Sequence, residues 1–225
     1  MTLDPFPGWD RTIAGARKLQ TELAHHVRLV DDFPPLSVIA GVDVGFEENG
    51  TITRAAAVLV DAKTLALVAD VVVRLPTSMP YVPGLLSFRE LPAVFAALEQ
   101  LPRTPDLVMV DGQGIAHPRG LGIAAHLGVA SGLPTIGVAK SILVGRHADV
   151  GARRGDRAEL IHNEAVIGYA LRSKDNVRPL IVSPGNRVSL QTACDLVLAS
   201  TTRYRLPEPT RFADHIASRR DIKKR

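Results

Sequence analysis

The sequence predicts an α/β fold built on a mixed sheet: a three-strand antiparallel meander followed by parallel strands and flanked by helices. Two observations support this prediction. Three strand-like apolar segments follow one another with short turns between them, and beyond residue 84 helix-like and strand-like segments alternate. Short turns join antiparallel strands, whereas alternation with helices indicates parallel pairing through crossovers.

The first part of the chain carries a helix and the meander. Apolar residues recur at helical spacing between residues 9 and 30, and the sequence Asp-Asp-Phe-Pro-Pro ends this pattern. Strand-like runs then occupy residues 36–46, 52–61 and 65–75. Because residues 47–50 and 61–64 form short turn-prone connections, we expect two successive hairpins.

The second part alternates between helix-like and strand-like segments. A loop rich in Pro and Gly spans residues 76–84, and the pattern beyond it predicts helix 87–101, strand 106–110, helix 120–131 and strand 134–138. The polar segment 146–159 is expected to be a loop. The remaining pattern predicts strands 164–171 and 178–182, helix 190–202 and a short amphipathic helix within 207–225. Because the sequence contains no internal repeats and no linker-like segment, we expect a single domain over residues 1–225.

Charge and cysteine content narrow the functional classes. Five basic residues and one acidic residue give segment 219–225 a net charge of +4, which equals that of the whole chain. The positive charge therefore predicts a flexible basic tail and is weak support for a basic nucleic-acid-binding body. The single cysteine, Cys194, cannot form an internal disulfide. The sequence has neither a signal-peptide pattern nor an apolar run long enough to span a membrane. We therefore expect a cytoplasmic protein without membrane contact.

Two aspartates stand where solvated charges are unusual. Asp43 lies inside the apolar run 38–45, and Asp111 ends the apolar run 107–110. A buried carboxylate is costly unless a positive charge compensates it, and converging carboxylates are commonly compensated by a divalent cation. If the first and fourth strands are neighbours, both carboxylates meet at one end of the sheet. For Asp111 alone, an ordinary Asp-Gly turn is the competing interpretation.

Glu90 has two competing interpretations. With Ser87 it forms a capping-box pattern, in which Ser87 is the helix N-cap and Glu90 bonds back to its amide. The local pattern favours this cap. The position of Glu90 just after the Pro- and Gly-rich loop supports a role as a metal ligand instead.

The segment 111–120 combines small residues with chemically active ones. Gly112 and Gly114 allow a ligand to approach the backbone, and His117 can hold a water molecule or contact a phosphate. Lys140 follows a predicted strand at the same end of the sheet as Asp111, where it could offset negative charge on a phosphate. A lone histidine most often has a structural role, and a lone lysine is most often simply exposed. Only the occurrence of these residues together favours a functional site.

The loop Pro-Tyr-Val-Pro at residues 80–83 is stiff because a proline stands at each end. Its one aromatic residue, Tyr81, could act as a wedge or a stacking surface for bases. The alternative is a tyrosine that faces the core.

Several of these segments together resemble the endonuclease V family, the deoxyinosine-directed nucleases of DNA repair. They are residues 39–44, 81–90, 110–114, 137–140 and 203–211. The resemblance implies a ribonuclease H-like fold, in agreement with the predicted meander and crossovers. It implies Mg²⁺, with Mn²⁺ as a substitute, held by Asp43 and Asp111 with Glu90 nearby, and His117 and Lys140 at the phosphate.

The resemblance also implies a substrate and a reaction. The loop containing Tyr81 and Pro83 parts the strands while the lesion base is flipped into a pocket. Backbone atoms of Gly84, Leu85 and residues 112–114 are expected to line this pocket and read hypoxanthine. Cleavage is expected at the second phosphodiester bond 3′ to deoxyinosine, leaving 3′-hydroxyl and 5′-phosphate ends. Some family members also cut inosine-containing RNA, and we expect a monomer.

The sequence departs from the family pattern at two positions, and two other functions are compatible with it. Gln113 stands where the family often has His or Asn, and Asn186 where His is common, which leaves substrate preference open. Another nuclease with this fold, such as a junction resolvase or a ribonuclease, would share the acidic cluster. A non-catalytic nucleic-acid binder using the basic tail would instead bind without metal and cut nothing.

Overall fold

A computed structural model describes residues 4–218 and contains an eight-stranded mixed sheet flanked by helices. The strands are β1 (Val38–Glu47), β2 (Ile52–Asp61), β3 (Leu67–Pro76), β4 (Leu107–Val110), β5 (Thr135–Ala139), β6 (Arg157–His162), β7 (Ala165–Leu171) and β8 (Leu180–Asn186). The helices are α1 (Ile13–Ala24), α2 (Leu86–Glu99), α3 (Ile123–Ser131), α4 (Leu190–Ala199) and α5 (Glu208–Ala217). The predicted basic tail, 219–225, lies outside the described residues.

The strand order β3-β2-β1-β4-β5-β8-β7-β6 confirms the predicted architecture. Strands β1, β2 and β3 form the antiparallel meander, and β1–β4 and β4–β5 pair in parallel. Strands β8, β7 and β6 then extend the sheet in antiparallel pairing. None of the helices described in residues 4–218 is long and apolar enough to cross a membrane.

Two element predictions are wrong. Strand β6 begins inside the segment expected to be a loop, because only Leu160 of that strand is fully buried and the exposed positions hide its apolar pattern. Helix α1 is shorter than the predicted 9–30. It begins after Thr12, whose side chain accepts a hydrogen bond from the Gly15 amide, and it ends at Ala24.

The helices form two layers, one on each face of the sheet. Val42 of β1 joins the apolar cluster beneath α1, α2 and α3, whereas Ile39 joins the cluster beneath α4. Since side chains alternate along a strand, residues 41, 43 and 45 face the same side as Ile39, which α5 also covers.

Glycines on β1 allow α5 to lie directly on the strand. A Cβ at Gly41 would stand 1.9 Å from the carbonyl oxygen of Pro209, and one at Gly45 would stand 2.9 Å from that of Ala217. Both oxygens belong to the ends of α5. The absence of side chains at these two positions therefore sets the height of α5 above β1.

Replacing Gly41 with alanine is expected to destabilise the protein by about 1–3 kcal/mol, the usual cost of overpacking. The added methyl group would meet backbone, which cannot rotate away, so α5 must shift. Gly45→Ala should cost less because its contact is a full ångström longer. Urea unfolding measures the free energy of unfolding of both variants, and Gly41→Ala should be the less stable. Equal stabilities would contradict this account of the packing.

Candidate functional site

Strand register places two carboxylates side by side. Val42 of β1 pairs with Val110 of β4 in parallel, so the next residues, Asp43 and Asp111, stand together at the end of β4. The predicted convergence is confirmed. The Asp43 carboxylate accepts a 2.8 Å hydrogen bond from the Val44 amide, and the charges that act on it are those of Asp111, Asp214 and Lys140.

Helix α5 supplies a third carboxylate, Asp214. One ligand oxygen from each of Asp43, Asp111 and Asp214 lies within 4.8 Å of the others. Asp214 is not among the site residues predicted from the sequence. A signal was present, because Asp214 lies one helical turn after the buried Thr210, on the side of an amphipathic helix that meets the sheet.

Glu90 reaches the same region from α2, and its interpretation as part of a capping box is wrong. The helix begins at Leu86, so Ser87 lies inside it and its Oγ bonds His126 Nδ1 at 2.9 Å. Glu90 is buried, with 7% exposure. Burial, and then the charges of Asp43 and Asp111, raise the pKa of Glu90 to about 8.

Lys140 at the end of β5 supplies positive charge to the cluster. Its Nζ lies 2.5 Å from Asp111 Oδ2 and 2.6 Å from Asp214 Oδ1. The side chain is exposed, as the alternative interpretation expected, but its charge is paired with two acids of the cluster. Partial burial opposes the charged form, but the hydrogen bonds to these carboxylates raise the pKa of Lys140 well above its usual value.

Negative charge still exceeds positive charge at the cluster. Burial, followed by repulsion from Asp111, raises the pKa of Asp43 to about 7, and burial also raises the pKa of Asp111. Four carboxyl groups therefore face one ammonium, and the charges of Arg89 and Arg205 offset only part of the repulsion at Glu90 and Asp111. Oxygen atoms from several carboxylates are the ligands that Mg²⁺, Mn²⁺ and Ca²⁺ take in proteins, so the donor set fits a divalent cation.

A cavity lies on the α2 and α3 side of this cluster. Residues that line it include Tyr81, Gly84, Gln113, His117 and Leu143. The Tyr81 side chain is 67% exposed, so the alternative of a core-facing tyrosine is wrong. Pro83 is also exposed, and Gly84 adopts a φ of +76°, which favours glycine.

His117 lies in the cavity wall, outside the group of three aspartates. Its Nδ1 accepts a hydrogen bond from the Arg119 amide at 3.2 Å, so Nε2 carries the proton and donates to the Gly84 carbonyl at 3.1 Å. Burial and the neighbouring Arg119 lower the pKa of His117 to about 4. A neutral His117 thus positions the loop at Gly84, and its predicted phosphate contact stays a prediction.

The other predicted pocket residues are largely engaged within the fold. The Gly114 amide donates to Ser183 Oγ at 2.8 Å, and the Gly112 amide to the Val138 carbonyl at 3.4 Å. The Leu85 side chain is buried in the core. In this conformation these three residues support the cavity wall, and their predicted contact with a base stays a prediction.

The two sequence departures have different surroundings. Asn186 is structural, because its Oδ1 accepts from the Arg28 amide and its Nδ2 donates to the Gly128 carbonyl. Gln113 lines the cavity, and its Nε2 donates to the Ser141 carbonyl at 2.9 Å. It therefore ties the loop that follows Lys140 to the cavity wall.

Comparison with known proteins gives one consistent result. The family model described as Endonuclease V matches residues 21–215. Endonuclease V of Azotobacter vinelandii is 71% identical over 216 residues, covering 96% of this chain and 98% of the relative. Endonuclease V of Xanthomonas campestris pv. campestris (strain 8004) is 59% identical over 221 residues, covering 97% and 94%.

Solved structures agree with this result. The crystal structure of endonuclease V from Streptomyces avermitilis has a TM-score of 0.88 and 47% identity, and the match covers 93% of both chains. Endonuclease V of Ciona intestinalis, in complex with a 24mer DNA containing an inosine followed by a ribo-adenosine, has a TM-score of 0.80 and 27% identity. That match covers 92% of this chain and 97% of the other.

Divalent cations are expected to raise the thermal unfolding midpoint of the protein, because a ligand that binds only the folded state stabilises it. The gain is about 2.7 kcal/mol at a cation concentration 100-fold above Kd. In Asp214→Asn the shift should be much smaller. Asp195→Asn, at an exposed acid on α4, is the matched control. Equal shifts in the two variants would exclude Asp214 as a ligand.

Proposed function

Because the chain belongs to the endonuclease V family, it is an endonuclease, and we propose that it cleaves DNA strands that contain deoxyinosine, the product of adenine deamination. The proposed cut is at the second phosphodiester bond 3′ to the lesion, leaving 3′-hydroxyl and 5′-phosphate ends. The family relationship and the inosine-containing DNA bound by the Ciona relative support this substrate. Inosine-containing RNA is a proposed second substrate.

The convergence of Asp43, Asp111 and Asp214 is the observation on which the proposal rests. These three residues come from two adjacent strands and a helix, and we propose that they hold Mg²⁺, with Mn²⁺ as a substitute. A bound cation would neutralise the cluster, polarise a phosphodiester and favour deprotonation of water. Glu90, beside Asp43 and Asp111, is proposed to hold a proton or a water molecule at the edge of the same site.

Lys140 is proposed to contact the reacting phosphate. Its ammonium is held beside Asp111 and Asp214, which raise the pKa of Lys140 above its usual value, so it carries its proton at neutral pH. A fixed positive charge beside the cluster stabilises the negative charge that develops on a phosphate during displacement.

The cavity beside the cluster is proposed to take the flipped hypoxanthine base. Arg119 Nη2 and His117 Nε2 both donate to the Gly84 carbonyl, at 2.7 and 3.1 Å, so the cavity wall is held before the base arrives. Tyr81 and Pro83 are exposed on the adjoining loop and can occupy the space that the flipped base leaves in the duplex.

An assay on duplexes that carry one deoxyinosine tests this function. The wild type should nick the lesion strand at the second phosphodiester bond 3′ to the lesion with Mg²⁺ and not with chelator. Asp43→Ala should lose more than about a hundredfold in rate, since it removes a proposed metal ligand. Its urea unfolding checks that it folds. Equal cutting of inosine-free duplexes would favour another nuclease, and wild-type turnover by Asp43→Ala would reject the metal site.

Tyr81→Ala tests the wedge separately. The variant should cleave inosine-containing duplexes about tenfold more slowly, because the energy of unstacking is no longer offset by the ring. Single-stranded substrates need no strand separation, so they should be cut at nearly the wild-type rate. Tyr81→Trp keeps an aromatic ring and is the matched control. Equal losses on single and double strands would contradict a role in parting the duplex.

A further inference from the structure

An exposed tyrosine lies among arginines on the α5 side of the protein. Tyr204 is 48% exposed, and the guanidinium carbons of Arg203 and Arg211 lie 5.9 and 4.7 Å from its ring centroid. Arg178 and Arg205 are close by, because Arg205 Nε donates to the Arg178 carbonyl at 2.8 Å. We call these five residues the Tyr204 patch.

The members of the Tyr204 patch have different roles. Arg211 is bound to Glu208 through its Nε and Nη2, so it holds the tyrosine ring in place and its charge is offset. Arg203 and Arg178 are exposed, and each adds positive charge to the patch. A fixed aromatic ring flanked by cations is the arrangement that binds single-stranded nucleic acid, through base stacking and phosphate contacts.

The Tyr204 patch adjoins the acidic cluster. Arg205 Nη2 donates to the Lys140 carbonyl at 3.1 Å, and Lys140 Nζ contacts Asp111 and Asp214. Arg211 also stands three residues before Asp214 on α5, and residues at this spacing are neighbours on a helix surface. A nucleic-acid strand that reaches the cluster can therefore continue onto the patch.

The positions of the cavity and the patch on the two faces of the sheet define the path of a bound nucleic-acid strand. The cavity proposed for the base is lined from the α2 and α3 side, whereas the patch lies with α5 on the opposite face. The acidic cluster lies at the end of β4, where Glu90 reaches it from α2 and Asp214 reaches it from α5. A strand with its base in the cavity and its scissile phosphate at the cluster meets the patch with the nucleotides beyond the cut. Since the proposed cut is 3′ to the base, those nucleotides are on the 3′ side.

We propose that the Tyr204 patch binds the nucleotides 3′ of the cut, with one base stacked on Tyr204 and phosphates facing Arg203 and Arg178. This inference rests on the proposed function, which supplies the position of the cut. It adds a binding surface for the segment that leaves with the 5′-phosphate.

Substrates with a 3′ flank shortened stepwise beyond the cut test the proposal. Tyr204→Ala should raise KM about tenfold on a substrate with a long 3′ flank, the effect of losing one stacked base. On a substrate with almost no 3′ flank the variant and the wild type should behave alike. That equality also shows that the variant folds with its active site intact. Tyr204→Trp should match the wild type on both.

The salt dependence of nucleic-acid binding tests the proposed phosphate contact of Arg203. Arg203→Ala should reduce the slope of log K against log salt by about 1, as expected when one phosphate contact is lost. Arg103→Ala is the matched control, because Arg103 is exposed before β4, at the end of the sheet opposite Asp111, and it should leave the slope unchanged.

Two results would overturn the proposal. One is an equal loss in Tyr204→Ala on long and short 3′ flanks, and the other is a loss that follows the length of the 5′ flank. Failure of the proposed function looks different, because the wild type would then not nick deoxyinosine strands at the expected bond, whatever the flank.

Discussion

Repulsion among partly buried carboxylates is the constraint on which the rest of this structure depends. Asp43 and Asp111 are brought together by the parallel register of two central strands, and Asp214 is added by a helix from the other end of the chain. Burial and mutual repulsion raise the pKa of Asp43 to about 7, and Lys140 offsets only part of the charge. The arrangement is unfavourable for the isolated protein, and it fits a site that a divalent cation completes.

The packing around this site serves to hold the acids together despite their repulsion. Glycines at positions 41 and 45 let α5 lie against β1, on the face from which Asp43 projects, and this contact fixes the distance between Asp43 and Asp214. On the opposite face Ser87 bonds to the buried His126, which anchors the start of α2 and with it Glu90. Each acid is thus carried by an element whose position other contacts determine.

Local sequence patterns were sufficient where they matched the period of one element. The alternation and turns of residues 36–75 predicted the meander, and the apolar run before Asp111 predicted a buried strand. They failed where tertiary contacts decided. Ser87 and Glu90 fit a capping box, yet α2 begins before Ser87 and Glu90 turns toward the other acids. Strand β6 was missed because it lies at the edge of the sheet and buries little.

The sequence by itself determined the order of the elements, the membership of the endonuclease V family and the pair Asp43 and Asp111, because a charge inside an apolar run is visible without coordinates. Only the tertiary structure decided that Asp214 joins them, that Lys140 bridges two of the acids, and that His117 supports Gly84. These residues are far apart in the chain, and their meeting depends on how the helices pack on the sheet, which no local pattern records.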